Sequence, residues 1–431
     1  MLERLFRLRD HGTTARVEVL GGATTFLTMA YIIVVNPAIL SFAGIPPGPG
    51  TVATILTAVF GCLAMGLYAN RPIAVAPYMG ENAFLAFGLA ALGISWQQRL
   101  GAVFVAGVVF ALITVWRIRP WLSRAISPSM KHGFAAGIGL FLALIGLYES
   151  GIVTSFVAGL PPAALPQAAG LLQAPGAPLK LGDLRDPRVL LAVAGFVLMA
   201  ALLLRRVRGA ILLAMGATAL AGVLLGLGER PRALFALPFT GEWSLAPIAF
   251  QLDVAGMLRL SMLPVLLTLI LMSFLDTLGT LIGVGAAAGL LDEKGDLPQI
   301  ERPMLVDAAA CMFSGLVGTS TSGAYIESAA GIREGARTGL AAVTTAGLFA
   351  LSLFVLPLFA PLQSLKYAYA PALLAVGLLM MASFAQVDFA DLTEAVPAFA
   401  TVVMMAFSYN IANGLTAGLV LYPLLKLLAG R

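Results

Sequence analysis

Apolar residues recur along this chain in runs long enough to cross about 30 Å of hydrocarbon, separated by short polar or Pro/Gly-rich connections. The runs fall near 17–40, 51–69, 72–92, 99–118, 130–148, 188–204 and 209–228. A second set follows near 263–290, 302–318, 320–332, 338–357, 371–386, 395–411 and 413–428. This pattern predicts an all-α polytopic membrane protein with 14 transmembrane segments, seven and seven. The longer connections, 149–187 and 229–262, are the only candidates for extramembrane structure, and neither is large enough to form a separate domain.

Charge placement orients the spans. With a cytoplasmic N-terminus, the inside segments carry Arg4, Arg7, Arg9, Arg16, Arg71, Arg117, Arg119, Arg124, Lys131, Arg205, Arg206, Arg208, Lys294, Arg302, Arg333, Arg337, Lys426 and Arg431. The outside keeps Arg99, Lys180, Arg185, Arg188, Arg230, Arg232, Arg259 and Lys366. A bias of 18 against 8 supports an even span count and two cytoplasmic termini, because one miscounted span would invert every later loop. An odd number of spans per half inserts the second half upside down, the inverted-repeat logic of secondary transporters. The expected organisation is a cytoplasmic lead-in at 1–16, a first repeat at 17–228, an extracytoplasmic connection at 229–262 and a second repeat at 263–431.

The third span of each half looks broken. Pro72 and Pro77 interrupt the first, while the second has hardly a dozen residues and opens on a Gly/Ser/Thr run. Tyr78, Glu81 and Ala83 align, with one gap, to Tyr325, Glu327 and Ala329. Interrupted spans at corresponding positions point to a transporter binding site, because free backbone groups survive at membrane depth only where they line a polar cavity. An extended stretch followed by a half-helix is expected in each, with helix N-termini toward the cavity.

Composition agrees with a membrane protein: of 431 residues 60% are hydrophobic and 11% charged, with a mean hydropathy of +0.95. The net charge of +5 is scattered over short clusters, which suits topology better than nucleic-acid binding. Cys62 and Cys311 sit in apolar runs without metal-ligand or disulfide spacing and read as small buried hydrophobes. His11 and His132 lie at segment ends beside basic residues and read as solvated. The opening MLERLFRLRDHGTTAR lacks the apolar core of a cleavable signal peptide.

Three acids lie inside apolar runs: Glu81 in PIAVAPYMGENAFLAFG, Asp276 in LPVLLTLILMSFLDTLGTLIGV, and Glu327 in GTSTSGAYIESAAG. Ionisable groups at bilayer depth are functional hypotheses by default. A carboxylate in a poorly hydrated site can load and release a proton near neutral pH, and either of its forms can hydrogen-bond a planar heterocycle. Glu327 and Asp276 are therefore the candidates for both substrate recognition and proton coupling; the plainer alternative is a helix contact to Ser, Thr or backbone. Asn82 offers the donor and acceptor of a purine or pyrimidine edge, or satisfies broken-helix backbone. Glu81 faces the ligand or braces the other half-helix. Tyr78 and Tyr325 stack on a ring or merely pack. Thr277, Thr280, Ser320, Thr321, Ser322 and Ser328 fit hydrogen bonding to substrate and small-residue helix packing equally. Asp307 and Glu18, in the first turns of their spans near the cytoplasmic face, are explained by capping or dipole pairing. No Walker, GxSxG, HExxH or metal-ligand motif supports an enzyme.

These stretches resemble the nucleobase/cation symporters, specifically the AzgA-like adenine, guanine and hypoxanthine permeases. The likeness runs through GGATTFLTMAYIIVVNP, APYMGENAFLAFG, FLDTLGTLIGV and GTSTSGAYIESAAGIREGARTGL, in the expected order. It implies a 7+7 inverted repeat with a core of spans 1–4 and 8–11 and a gate of spans 5–7 and 12–14. It also implies proton-coupled uptake, a ligand between spans 3, 8 and 10, no cofactor, H+ as coupling ion, and residence in the cytoplasmic membrane, and it allows a homodimer. Asn82, Asp276 and Glu327 match positions used for purine recognition. The departures fall inside the site: similar permeases usually read PGMGLNAF where this chain reads PYMGENAF, an acid often stands where this chain has Ser273, and the hydroxyl run is altered to SGAY.

The expected function is purine nucleobase import by proton symport, through an elevator-like shift of core against gate. The alternative is a same-fold transporter of uracil, xanthine or an inorganic anion, and paired buried carboxylates argue against the anion. A channel or a sensor would show non-saturating conductance or binding without flux.

Overall fold

In a computed structural model the described residues are 2–89, 92–118, 126–156, 158, 167–168, 171–172, 179–231, 233–292 and 297–430. Arg119, Arg124, Arg232, Lys294 and Arg431, which entered the charge bias, lie outside them.

Helices dominate. In chain order they are α1 (Leu2–Phe6), α2 (Ala15–Met29), α3 (Ile32–Ser41), α4 (Pro47–Ala64), α5 (Met79–Ala83) and α6 (Trp96–Val115). After these come α7 (Pro128–Glu149), α8 (Pro187–Leu204), α9 (Ala210–Leu224), α10 (Val254–Met257), α11 (Leu263–Ala287) and α12 (Glu301–Val317). The chain ends with α13 (Ser328–Arg333), α14 (Gly339–Ser352), α15 (Leu356–Ser364), α16 (Lys366–Met381), α17 (Leu392–Phe407) and α18 (Ile411–Leu428). Short π-helical turns, Met65–Ala69 and Phe84–Gly88, extend α4 and α5. Helix starts follow from local chemistry. Ser95 and Gln98 form a reciprocal capping box on α6, Ser127 and Asp186 cap α7 and α8, and proline occupies the first turns of α4, α7, α8 and α11.

Among the described residues eight helices are long and apolar enough to cross a membrane, or nine when the pair α14 and α15, bent by 80°, counts as one. The other expected spans fall on shorter or broken elements: the stretch from Val75 to Gly88, α9, α12, the stretch from Ser322 to Arg333, and α17. The run at 17–40 is covered by one span of 27 residues, Ala15–Ser41, in which α2 and α3 are separated by a short interruption at Ala30 and Tyr31. The connection at 149–187 contributes the antiparallel pair β2 (Val153–Ser155) and β5 (Leu179–Leu181), and between them β3 (Gln167–Ala168) pairs with β4 (Leu171–Leu172). Leu204, Leu224, Phe407 and Leu427 stand exposed on the outer faces of α8, α9, α17 and α18, which suits contact with hydrocarbon.

The tightest packing falls into two sets. One joins α7 to α16 and α17, α17 to α18, and α8 to α9 and α16. The other joins α6 to α12, α14 to α2 and α4, and α3 to α4. Helix α11 packs on α6 and touches α7 and α18 only lightly, so it lies along the seam between the sets.

Candidate functional site

Two short strands cross at the centre. Strand β1 (Val75–Pro77) pairs antiparallel with β6 (Ser322–Ala324), placing Val75 opposite Ala324, Ala76 opposite Gly323 and Pro77 opposite Ser322. The ladder continues past both ends. The Tyr78 N–H donates to the Thr321 carbonyl at 2.8 Å, and the Tyr325 N–H donates to the Ala74 carbonyl at 2.9 Å. Tyr78 and Tyr325 thus hold equivalent places, one residue beyond their strands, related by the local two-fold symmetry of an antiparallel pair. Their rings lie parallel, 7° apart in plane with centroids 6.3 Å apart, within the range of offset aromatic pairs. Gly323 is required here, because any Cβ on it would enter the Tyr78 ring. The expected extended stretch followed by a half-helix is present in both segments.

The side chains around the crossing form separate hydrogen-bonded groups. Asp307 Oδ2 accepts from Thr277 Oγ1 and from the Ala324 N–H of β6, each at 2.9 Å. Tyr78 Oη lies 2.9 Å from Thr277 Oγ1; since the Thr277 proton is directed at Asp307, Tyr78 is the donor. Glu327 accepts from the Tyr31 hydroxyl at 2.8 Å. Asn82 donates through Nδ2 to Asn36 Oδ1 at 2.8 Å, and Asn36 donates to Thr54 and Thr319 at 2.8 and 2.9 Å. Ser320 adds a bond to Asn36 at 3.3 Å. The Asn82 carbonyl oxygen is buried without a partner. Glu81 is fully buried, faces the carboxyl group of Asp276, and accepts no hydrogen bond from any donor among the described residues.

A small cavity opens beside Asp276. It is lined by Met272, Leu275 and Asp276 of α11, Phe134 and Ile138 of α7, Met405 of α17, and Ile411 and Leu415 of α18, so it lies at the seam between the two packing sets. Its one ionisable lining group is Asp276, with Glu81 behind it. The ion pairs Arg208–Glu334, Lys366–Glu149 and Lys426 with Asp391 and Glu394 involve none of the central acids. The cavity is apolar apart from one carboxylate acceptor, chemistry that suits a neutral group carrying N–H donors.

Of the residues expected in the site, Asp276 lines the cavity and Glu81 adjoins it, while Asn82, Glu327, Thr277, Tyr78, Tyr325 and Ser328 belong to the crossing. Thr277 and Tyr78 are bound to each other, the Tyr325 hydroxyl donates to the Pro77 carbonyl, and Ser328 Oγ accepts the Ala74 N–H at 2.9 Å. Asp276 and Glu327 fall in different hydrogen-bonded groups. Asp307 corrects the sequence reading: it does not cap its own helix near the membrane face but is fully buried and anchors β6. Glu18 does act as a cap, but for a distant segment, accepting the N–H groups of Arg337 at 2.7 Å and Thr338 at 3.2 Å ahead of α14. Tyr31 and Asn36 were missed. The signal for Asn36 was available, since one Asn stands alone in the apolar run IIVVNPAIL.

Cys62 and Cys311 are free and buried; Cys62 Sγ lies 3.2 and 3.3 Å from the Val75 nitrogen and oxygen, bracing β1. Among the described residues no three His, Cys, Asp or Glu side chains are grouped to hold a metal ion.

The family match and the relatives that follow make the chain a multi-pass membrane transporter, not an enzyme. Residues 16–416 match the Permease family, Xan_ur_permease, and the chain belongs to that family. It is 40% identical to the adenine permease AdeP of Escherichia coli (strain K12), over 100% of this chain and 92% of that protein. It is 36% identical to the guanine/hypoxanthine permease PbuO of Bacillus subtilis (strain 168), over 99% and 95%. Among solved structures it is similar to the transmembrane domain of the cyanobacterial bicarbonate transporter BicA, with a TM-score of 0.65, 16% identity and coverage of 94% and 97% of the two chains. That last likeness concerns the fold alone.

Proposed function

We propose that this permease imports purine nucleobases (adenine, guanine or hypoxanthine) by proton symport. The observation that carries the reading is the cavity between α11 and helices α7, α17 and α18, whose one ionisable lining group is the Asp276 carboxylate. A purine is apolar on its faces and carries ring N–H donors on its edge, which suits the chemistry of this lining. The names of the relatives, adenine permease and guanine/hypoxanthine permease, support the same substrate class. An inorganic anion is disfavoured, since Glu81 and Asp276 would repel it and, among the described residues, no basic side chain pairs with either.

On this reading the shorter and broken elements complete 14 spans with both termini cytoplasmic. The set around α2, α3, α4, α6, α12 and α14 is the core, and the set around α7, α8, α9, α16, α17 and α18 is the gate. Alternating access is an elevator-like displacement of one against the other. The light packing of α11 on α7 and α18 supports sliding at that seam. Glu327 and Asp276 are the coupling carboxylates, and Asn82 presents its unpaired carbonyl to the base.

Uptake of radiolabelled adenine, guanine and hypoxanthine into proteoliposomes tests the substrate class. Saturable uptake of at least one purine, competed by the others, is expected. No purine flux beside measurable uracil or anion flux would contradict it.

A further inference from the structure

We propose that Glu81 and Asp276 form a carboxyl pair that carries one proton, held on Glu81, and that this proton is required for a ligand to occupy the cavity. The pairing rests on the symport reading above and adds a third residue to its coupling path.

The inference comes from comparing the buried acids. Glu327 receives the Tyr31 hydroxyl, Asp307 receives the Thr277 hydroxyl and the Ala324 N–H, and Glu18 receives two backbone N–H groups. Each of these carboxylates is solvated by the protein. Glu81 is fully buried, deeper than Glu327, yet neither of its oxygens accepts a bond from a donor among the described residues, and the group it faces is another carboxyl. Two carboxylates in that arrangement would repel each other, and the Glu81 carboxylate, buried without a donor, would also be unsolvated. One proton removes both penalties: it neutralises Glu81 and supplies the O–H that Asp276 can accept.

Among the described residues the surroundings offer no other counter-charge. The titratable groups facing Glu81 are Asp276 from α11, Tyr78 and Tyr325 at the crossing, and Cys311 from α12. From α7 the contact on the adjoining Gly80 is Ile138, and from α3 the polar partner of Asn82 is the neutral Asn36.

Asp276 is the junction, because it meets Glu81 on one side and lines the cavity on the other. With Glu81 protonated, the pair holds a single negative charge, and Asp276 can accept a ring N–H from the ligand. When the Glu81 O–H bond breaks and its proton passes to water, the second charge appears beside the first, Asp276 is repelled from its bound position, and the ligand leaves. Reprotonation from water forms the O–H bond again and resets the site. Proton and ligand therefore bind with positive cooperativity.

The test uses the full-length protein in lipid, read by infrared spectroscopy and by equilibrium binding of hypoxanthine against pH. The wild-type protein at neutral pH is expected to show the C=O stretch of a protonated carboxylic acid. Glu81→Gln, which keeps an amide donor toward Asp276, loses that band, and Glu327→Gln keeps it. Hypoxanthine affinity falls about tenfold per pH unit once the pair deprotonates, the slope for one linked proton, and becomes flat in Glu81→Gln. A band that survives in Glu81→Gln, an unchanged pH slope in that variant, or a wild-type protein with no protonated carboxyl and sodium-dependent binding would each overturn the pairing. If Glu81→Gln does not fold, Glu81→Asp decides: a shifted band is expected, and a band unchanged from the wild type would overturn the assignment of the proton to Glu81. The infrared result stands independently of the substrate: a wild-type protein that shows the band but binds no purine refutes the symport reading and leaves the proton on Glu81.

Discussion

Arg99 and Arg337 perform the same task in the two halves of the chain. Arg99 reaches back from the first turn of α6 to donate to the Leu85 and Ala86 carbonyls, at 2.5 and 3.2 Å, where the half-helix begun by α5 ends. Arg337, just ahead of α14, donates to the Ile332 and Ala336 carbonyls, at 2.8 and 2.7 Å, where α13 ends. The last carbonyls of a helix lack intrahelical partners and carry partial negative charge. Away from water they need a donor, and each half of the chain supplies a guanidinium from the segment that follows.

Arg99 is buried and also donates to the Ile94 carbonyl at 3.0 Å, so its loss strips several acceptors at once. Arg99→Ala is expected to destabilise the protein by about 2–4 kcal/mol, since hydrogen bonds to charged groups contribute about 1.5–3 kcal/mol each and do not add fully. Thermal unfolding in detergent or nanodiscs checks this, and an unchanged midpoint would show that water replaces the guanidinium.

Asn36 ties α3 to α4, to the turn after α12 and to Asn82. Asn36→Ala leaves the Asn82 amide and two threonine hydroxyls without their shared partner. A loss of about 1–3 kcal/mol for the buried unsatisfied groups is expected, together with a raised KM for uptake, because Asn82 is no longer held in one orientation. Unfolding midpoints and uptake kinetics on the same preparation separate the two effects.

Gly323 and Tyr78 test the crossing directly. Gly323→Ala drives a methyl group into the Tyr78 ring, and overpacking of this kind costs about 1–3 kcal/mol. Tyr78→Ala in the same chain relieves the collision, so the double variant is expected to be more stable than the sum of the single effects. Strict additivity would mean that the two side chains do not meet.

Glu327→Gln keeps the acceptor for the Tyr31 hydroxyl through its amide oxygen but cannot change charge. Purine exchange across proteoliposomes is expected to persist while concentrative uptake is lost. Unchanged proton-driven accumulation in this variant removes Glu327 from coupling.

The crossing was legible in the sequence because proline and glycine interrupt both spans, and because Tyr78 and Tyr325 stand at matching points of the interruption. Its partners were not. The break before Tyr31 involves neither proline nor glycine, and Ala30 and Tyr31 keep right-handed helical dihedrals, so the run TMAYII looks like unbroken helix. Hydroxyls such as Tyr31, Thr54 and Thr319 are the same residues that pack membrane helices without function, and only the fold shows which of them meet Asn36 and Glu327. Asp307 looked like a cap because it is early in its span. It reaches β6 because the extended segment descends beside α12, a placement set by packing between distant parts of the chain. Arg99 and Arg337 entered the sequence reading only as topology signals, since nothing local reveals that their guanidinium groups turn inward.

Proton coupling is tested most directly by following radiolabelled purine into proteoliposomes under an imposed inward pH gradient, and again after an uncoupler collapses it. Accumulation above the external concentration with the gradient, falling to equilibration without it, is the expected result. Purine that only equilibrates under both conditions, or accumulates equally in both, would contradict proton symport.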